Sequence, residues 1–166
     1  MPKIGMRITK SAIAVFLCFL IYLIRGEGLP FYSTISAIIC MQTCVENTLK
    51  AAKNRTVATI VGGIIGMCVL LFQRKYFLNA SEPVLYFITS LAIIPTIYSM
   101  VLLDKKEAIA TSCIVFLSIT VNHAMDVNPY IFAINRAVDT LIGIFVALGV
   151  NAVPLSRKRE MICKNS

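Results

Sequence analysis

Between residues 8 and 154 the sequence is a succession of six apolar runs, 8–24, 29–45, 57–72, 84–103, 108–121 and 130–154, separated by short polar breaks. Nothing else in the chain limits its fold as much. A helix crosses the hydrocarbon core of a bilayer with about 20 apolar residues. The 166 residues are 58% apolar and 14% charged, whereas soluble domains are about 25% charged. This excludes a disordered chain and argues against a soluble enzyme. The expected fold is an all-α membrane protein with six transmembrane helices. Residues 1–155 form one membrane domain and 156–166 a short basic tail.

The breaks carry turn and cap chemistry. Arg25-Gly26-Glu27-Gly28 joins the first two runs, and Pro30 suits the first turn of a helix. Asp104 and Glu107 have the spacing of a capping box before the fifth run. Pro95 predicts a kink inside the fourth. Residues 48–55 predict an amphipathic extension before the third run. The basic start at Lys3, Arg7 and Lys10 looks like a signal peptide, but no small-x-small cleavage site follows, so the first run is read as a retained span.

A net charge of +8 could indicate nucleic acid, but Lys and Arg also gather at the cytoplasmic ends of membrane spans. With six spans, twelve basic residues fall on one side and four on the other (Arg25, Arg74, Lys75 and Arg136). This places both termini in the cytoplasm, with no nucleic-acid partner and the lipid bilayer as surroundings. The six cysteines mostly lie in apolar runs and act as small hydrophobes. Neither a zinc site nor a disulfide framework is indicated.

The pattern N-R-x-V-x-T-x-x-G occurs at residues 54–62 and again at 135–143, an offset of 81. It opens the third and sixth runs, so the chain reads as two three-helix halves. Three is odd, so successive halves are upside down relative to each other, an inverted repeat common in transporters. Helical spacing places Arg55, Thr59, Gly62 and Gly66 on one stripe, and Arg136, Thr140, Gly143 and Ala147 on the other. Small residues four apart let helices approach closely, so Gly62, Gly66 and Gly143 are packing positions.

Arg136 lies within an apolar helix, with Asp139 three residues on as an expected ion-pair partner. Ionisable groups at such depth face a bundle interior or an aqueous path. Arg55 and Arg136 would form two positive stations for an anion, with Asp139 modulating Arg136 or relaying a proton. Gln42 and Glu46, one turn apart, could add polar lining or simply mark a helix end at the interface. His123 beside Asn122 and Asp126 reads as a loop residue. No catalytic set, phosphate loop or metal cluster is present, so neither an enzyme nor a cofactor is expected.

Residues 31–66 combine an aromatic-plus-serine helix start, I-S-A-I-I, a Gln, a Thr-Leu-Lys-x-x-x-x-Arg run and R-x-x-x-T-x-x-G-x-x-x-G. This stretch resembles the bacterial aromatic acid exporter family, which belongs with fusaric-acid-resistance-like membrane proteins and is distantly similar to plant aluminium-activated malate transporters. Pro30, Gln42, Thr48, Arg55, Thr59, Gly62 and Gly66 carry the likeness, and Arg136, Thr140 and Gly143 resemble a later span of that family. The resemblance implies six helices per unit, a homo-oligomer and export or channelling of small organic anions. Many relatives carry a soluble domain after the spans, and this sequence ends about a dozen residues after the sixth run. The expected function is an inner-membrane exporter or channel for small organic anions, aromatic ones included. A non-transporting accessory protein that binds lipid or a partner is the alternative.

Overall fold

The computed structural model describes residues 6–26, 30–42, 44–77, 81–121 and 129–153. His123, Asn122, Asp126 and the basic tail lie outside them. Among the described residues there are six α-helices: α1 (Met6–Arg25), α2 (Pro30–Cys40), α3 (Val45–Tyr76), α4 (Glu82–Leu102), α5 (Ile109–Thr120) and α6 (Pro129–Ala152). A short 3-10 turn, Lys106–Ala108, precedes α5.

Only four of these, α1, α3, α4 and α6, are long and apolar enough to cross a membrane. The six expected helices are present, and four of them have spanning length. The apolar run at 29–45 breaks after Cys40, leaving α2 with 11 residues, and α5 has 12. At 1.5 Å per residue these are roughly 16–18 Å long, about half the thickness of a bilayer core. Helix α3 absorbs the amphipathic extension expected before it and reaches 32 residues. Pro30 opens α2, and Pro95 lies inside a continuous α4.

The capping box before α5 does not form. Asp104 takes a left-handed backbone conformation (φ 53°), which aspartate tolerates better than most residues. No side chain caps the 3-10 turn. Glu107 instead accepts a hydrogen bond from Asn54 Nδ2 at 3.2 Å.

Two compact units divide the chain, and they do not coincide with its two halves. The first comprises Met1–Lys53 and Val138–Ser166, and the second Asn54–Ala137. In the first, α1 and α2 form a hairpin. Ala14 and Cys18 of α1, Ala37 and Cys40 of α2, Ala52 of α3, and Ile144, Ala147 and Val150 of α6 build its core. In the second, α4 and α5 form the hairpin. One core joins Ala58 of α3 to Met100 and Ala108, and another joins Leu70 to Val115 and Ile119. Each hairpin is thus packed by the third helix of the other half.

Many buried positions are small or polar, with Ser36, Thr48, Thr96 and Ser112 inaccessible beside Phe116, Met41 and Leu70, while large apolar side chains such as Phe16, Leu23, Ile24, Phe87 and Phe145 are exposed. Lipid tails are as apolar as leucine, so helices in a bilayer associate through close packing and hydrogen bonds. The buried hydroxyls of Thr59, Thr89, Thr96 and Thr120 donate to the carbonyl one turn earlier on their own helix.

Candidate functional site

The two copies of the repeated motif place their glycines in matching circumstances. In the second unit, a methyl group on Gly62 would collide with the backbone oxygen of Ser112 on α5 and crowd Val115. At Gly66, one turn on, an added methyl would press on the Phe116 backbone oxygen of the same helix and touch Ile119. In the first unit, a methyl group on Gly143 would collide with the backbone oxygen of Ser33 on α2 and overlap Ser36. Both short helices are therefore crossed by a motif glycine at a serine. The sequence foretold the glycines but not their serine partners.

The polar members of the motifs are buried. Arg55 and Thr59 on α3 are 9% and 7% exposed, and Arg136, Asp139 and Thr140 on α6 are 4–5% exposed. Arg55 and Arg136 both belong to the second unit, whereas Asp139, Thr140 and Gly143 belong to the first. Glu46 is exposed at the start of α3 and Gln42 is half-buried. Gln42 turns its amide back onto the Ile39 carbonyl at 3.1 Å, closing the C-terminus of α2.

Asp139 forms an ion pair with Arg25. Arg25 Nη1 lies 2.6 Å from Asp139 Oδ1, with the two side chains 25% and 7% exposed. Arg25 ends α1 and in the sequence reads only as an outer-side charge. A residue 114 positions away cannot be found by helical periodicity. The pair stands in a narrow cleft also lined by Cys18, Tyr22, Pro30 and Ser33, so the first turn of α2 borders it.

Two further interactions escaped the sequence reading. Asn151 Nδ2 donates to Thr48 Oγ1 at 2.7 Å and to the Gln42 carbonyl at 3.2 Å. It thereby fastens the α2–α3 break to α6. The buried Lys10 ammonium donates to the carbonyls of Val153 at 2.8 Å and Asn151 at 3.2 Å. A cation at a helix C-terminus meets the negative end of the helix dipole and its unbonded carbonyls. An Asn inside an apolar run was the available signal for the first. Lys10 reads in sequence as a simple membrane-edge charge.

Cys40 is buried and outside any disulfide and Cys44 is disulfide-bonded, so the two do not offer a thiolate pair to a metal. No cluster of three metal-ligating side chains occurs among the described residues.

Comparison with curated proteins and with solved structures found no match. The family model described as Aromatic acid exporter family member 1 matches residues 2–153. That match covers nearly the whole chain, and its exporter description agrees with apolar helices that bury small and polar residues. The chain is a multi-pass membrane protein that belongs to the aromatic acid exporter family.

Proposed function

We propose that the protein exports small organic anions, aromatic carboxylates among them, across the plasma membrane. The observation that carries this reading is the pair of half-length helices. Helices α2 and α5 hold the second place in each half of the chain, and each is crossed by a repeated-motif glycine. Unusually short apolar segments at corresponding places in two halves are the mark of a transporter's substrate region, where half-helix ends meet the cargo.

The halves form an inverted repeat, and residues 1–155 act as a single membrane domain. Arg55 and Arg136 draw the carboxylate through the protein, since a guanidinium keeps its charge and matches a carboxylate fork. Thr59 and Thr140 lie one turn beyond the arginines, and Asp139 balances the positive charge. Gln42 and Glu46 line the approach at the α2–α3 break. Both termini face the cytoplasm, in keeping with twelve basic residues on that side against four on the other. Two half-length helices cannot cover the full bilayer thickness, so copies associate into a homo-oligomer that shelters their ends.

The test is flux from proteoliposomes loaded with benzoate-type acids or malate, with wild type compared against Arg55→Gln and Arg136→Gln. Both arginine variants are expected to lose most of the flux while keeping the wild-type oligomeric state. Wild-type flux no greater than that of empty liposomes, for every acid, would refute the exporter reading.

A further inference from the structure

Resting on the exporter reading, we infer that the α2–α3 break is a hinge held shut by a latch. Asn151 of α6 and Thr48 of α3 form the latch, and Lys10 of α1 is the positioning residue that fixes the end of α6. All of these residues belong to the first compact unit. The break is short and its ends are finished. Met41 N–H closes α2 on the Ala37 carbonyl at 3.0 Å, and Thr48 N–H bonds the Cys44 carbonyl at 3.0 Å as α3 begins. Gln42 lies between the two helices, and its backbone is held by side chains. Its N–H donates to Thr48 Oγ1 at 3.2 Å, and its carbonyl accepts from Asn151 Nδ2 at 3.2 Å. In a bilayer, non-helical backbone persists only where protein or water satisfies it. The latch is therefore what permits the closed break.

The latch engages and releases as a unit. A hydroxyl has one donor and two acceptor places, and Thr48 Oγ1 uses all three. It donates to the Cys44 carbonyl at 3.2 Å and accepts from Gln42 N–H and, at 2.7 Å, from Asn151 Nδ2. Asn151 Nδ2 divides its two hydrogens between Thr48 Oγ1 and the Gln42 carbonyl. Loss of one contact leaves the others short of a partner, which favours two discrete arrangements over gradual loosening. Lys10 Nζ holds the carbonyls of Asn151 and Val153, so α1 sets where the Asn151 amide can reach.

Apolar packing restrains the C-terminal end of α2 weakly. Gly143 pins the first turn at Ser33. Beyond it, α2 gives the apolar core only Ala37 and Cys40, while its larger Phe31, Ile38 and Ile39 are exposed. Small side chains make few dispersion contacts. Released at Gln42, the end of α2 swings about its pinned first turn and uncovers Cys40. Lining of the approach at this break then depends on the latch, which makes its release a step of the export cycle.

Cys40 is the reporter, because it ends α2, is fully buried and lies outside any disulfide. The full chain in liposomes is treated with N-ethylmaleimide, and labelling at Cys40 is read by peptide mass spectrometry. Thr48→Val, which keeps the shape and removes the hydroxyl, is expected to label roughly 3- to 10-fold faster than wild type. Asn151→Ala and Lys10→Met are expected to do the same, and Thr48→Ser to stay near wild type. Gln73→Leu is the control, since Gln73 Nε2 makes a like tie in the second unit, to Thr89 Oγ1 at 3.0 Å and the Leu85 carbonyl at 3.1 Å. It is expected to leave Cys40 labelling unchanged. In wild type, benzoate is expected to change the labelling rate several-fold.

Wild-type labelling in Thr48→Val, Asn151→Ala or Lys10→Met would overturn the inference. So would equal acceleration by Gln73→Leu, which would mean general loosening, or a rate indifferent to benzoate while benzoate is transported. If those results accompany normal wild-type flux, the exporter reading stands and the latch is wrong. If the variants label as expected while no carboxylate is transported, the latch stands and the exporter reading falls.

Discussion

The two compact units solve one packing problem alike and differ in what they attach to it. In each, a glycine from the same nine-residue motif lets a long helix cross a short one at a serine, Gly143 at Ser33 and Gly62 at Ser112. Four positions before that glycine, however, the first unit has Asp139 in an ion pair with Arg25, and the second has Ala58 in a dry cluster with Met100 and Ala108. In the second unit the motif is held by a neutral-to-charged contact, Asn54 to Glu107. Shared geometry marks what the fold needs. The unshared charge marks what the shared crossing does not need.

That contrast can be broken most directly at the glycines. Gly143→Ala is expected to lose about 3 kcal/mol, because the new methyl meets backbone atoms that cannot step aside. Gly62→Ala should cost about 2 kcal/mol, since its severe collision is with a single backbone oxygen, that of Ser112. Thermal unfolding in detergent would check both, and an alanine accepted without loss at either site would end the claim of matched crossings.

Asn151→Ala should cost about 1–2 kcal/mol by leaving the Thr48 hydroxyl and the Gln42 carbonyl short of a donor. The same unfolding assay reads it, and Thr48→Val combined with it should add less than the two single losses. Asp139→Ala, which writes the Ala58 solution into the first unit, should cost only about 1 kcal/mol, because the partly exposed Arg25 can swing towards water. A loss larger than that of Gly143→Ala would mean that the ion pair is structural. The smallest effect is at Gly149, where a Cβ meets open space. Gly149→Ala should be neutral or gain about 0.5–1 kcal/mol from reduced unfolded-state freedom.

Much of the site could be anticipated one helix at a time. Spacing along α3 and α6 was enough to put Gly62, Gly66 and Gly143 on a packing stripe, because helical period is a local property. Composition was enough to extend α3 back through residues 48–55. Local reasoning failed where a distant group offered a better partner. Asp104 and Glu107 have capping-box spacing, yet Glu107 is taken by Asn54. Arg25 meets Asp139 from 114 positions away, a proximity that comes from the α1–α2 hairpin packing on α6.

The sequence by itself determined the apolar helices, the membrane as their surroundings, the repeated motif and the exporter family, since each is written in residue type and short-range period. Only the tertiary structure decided that the run at 29–45 stops at Cys40, that each hairpin is packed by the other half's third helix, and which charge meets Asp139. Those outcomes depend on contacts between residues tens to more than a hundred positions apart. In an apolar surrounding, a buried polar group is stable only with its partner, so the arrangement that brings the partners together fixes where the polar groups rest.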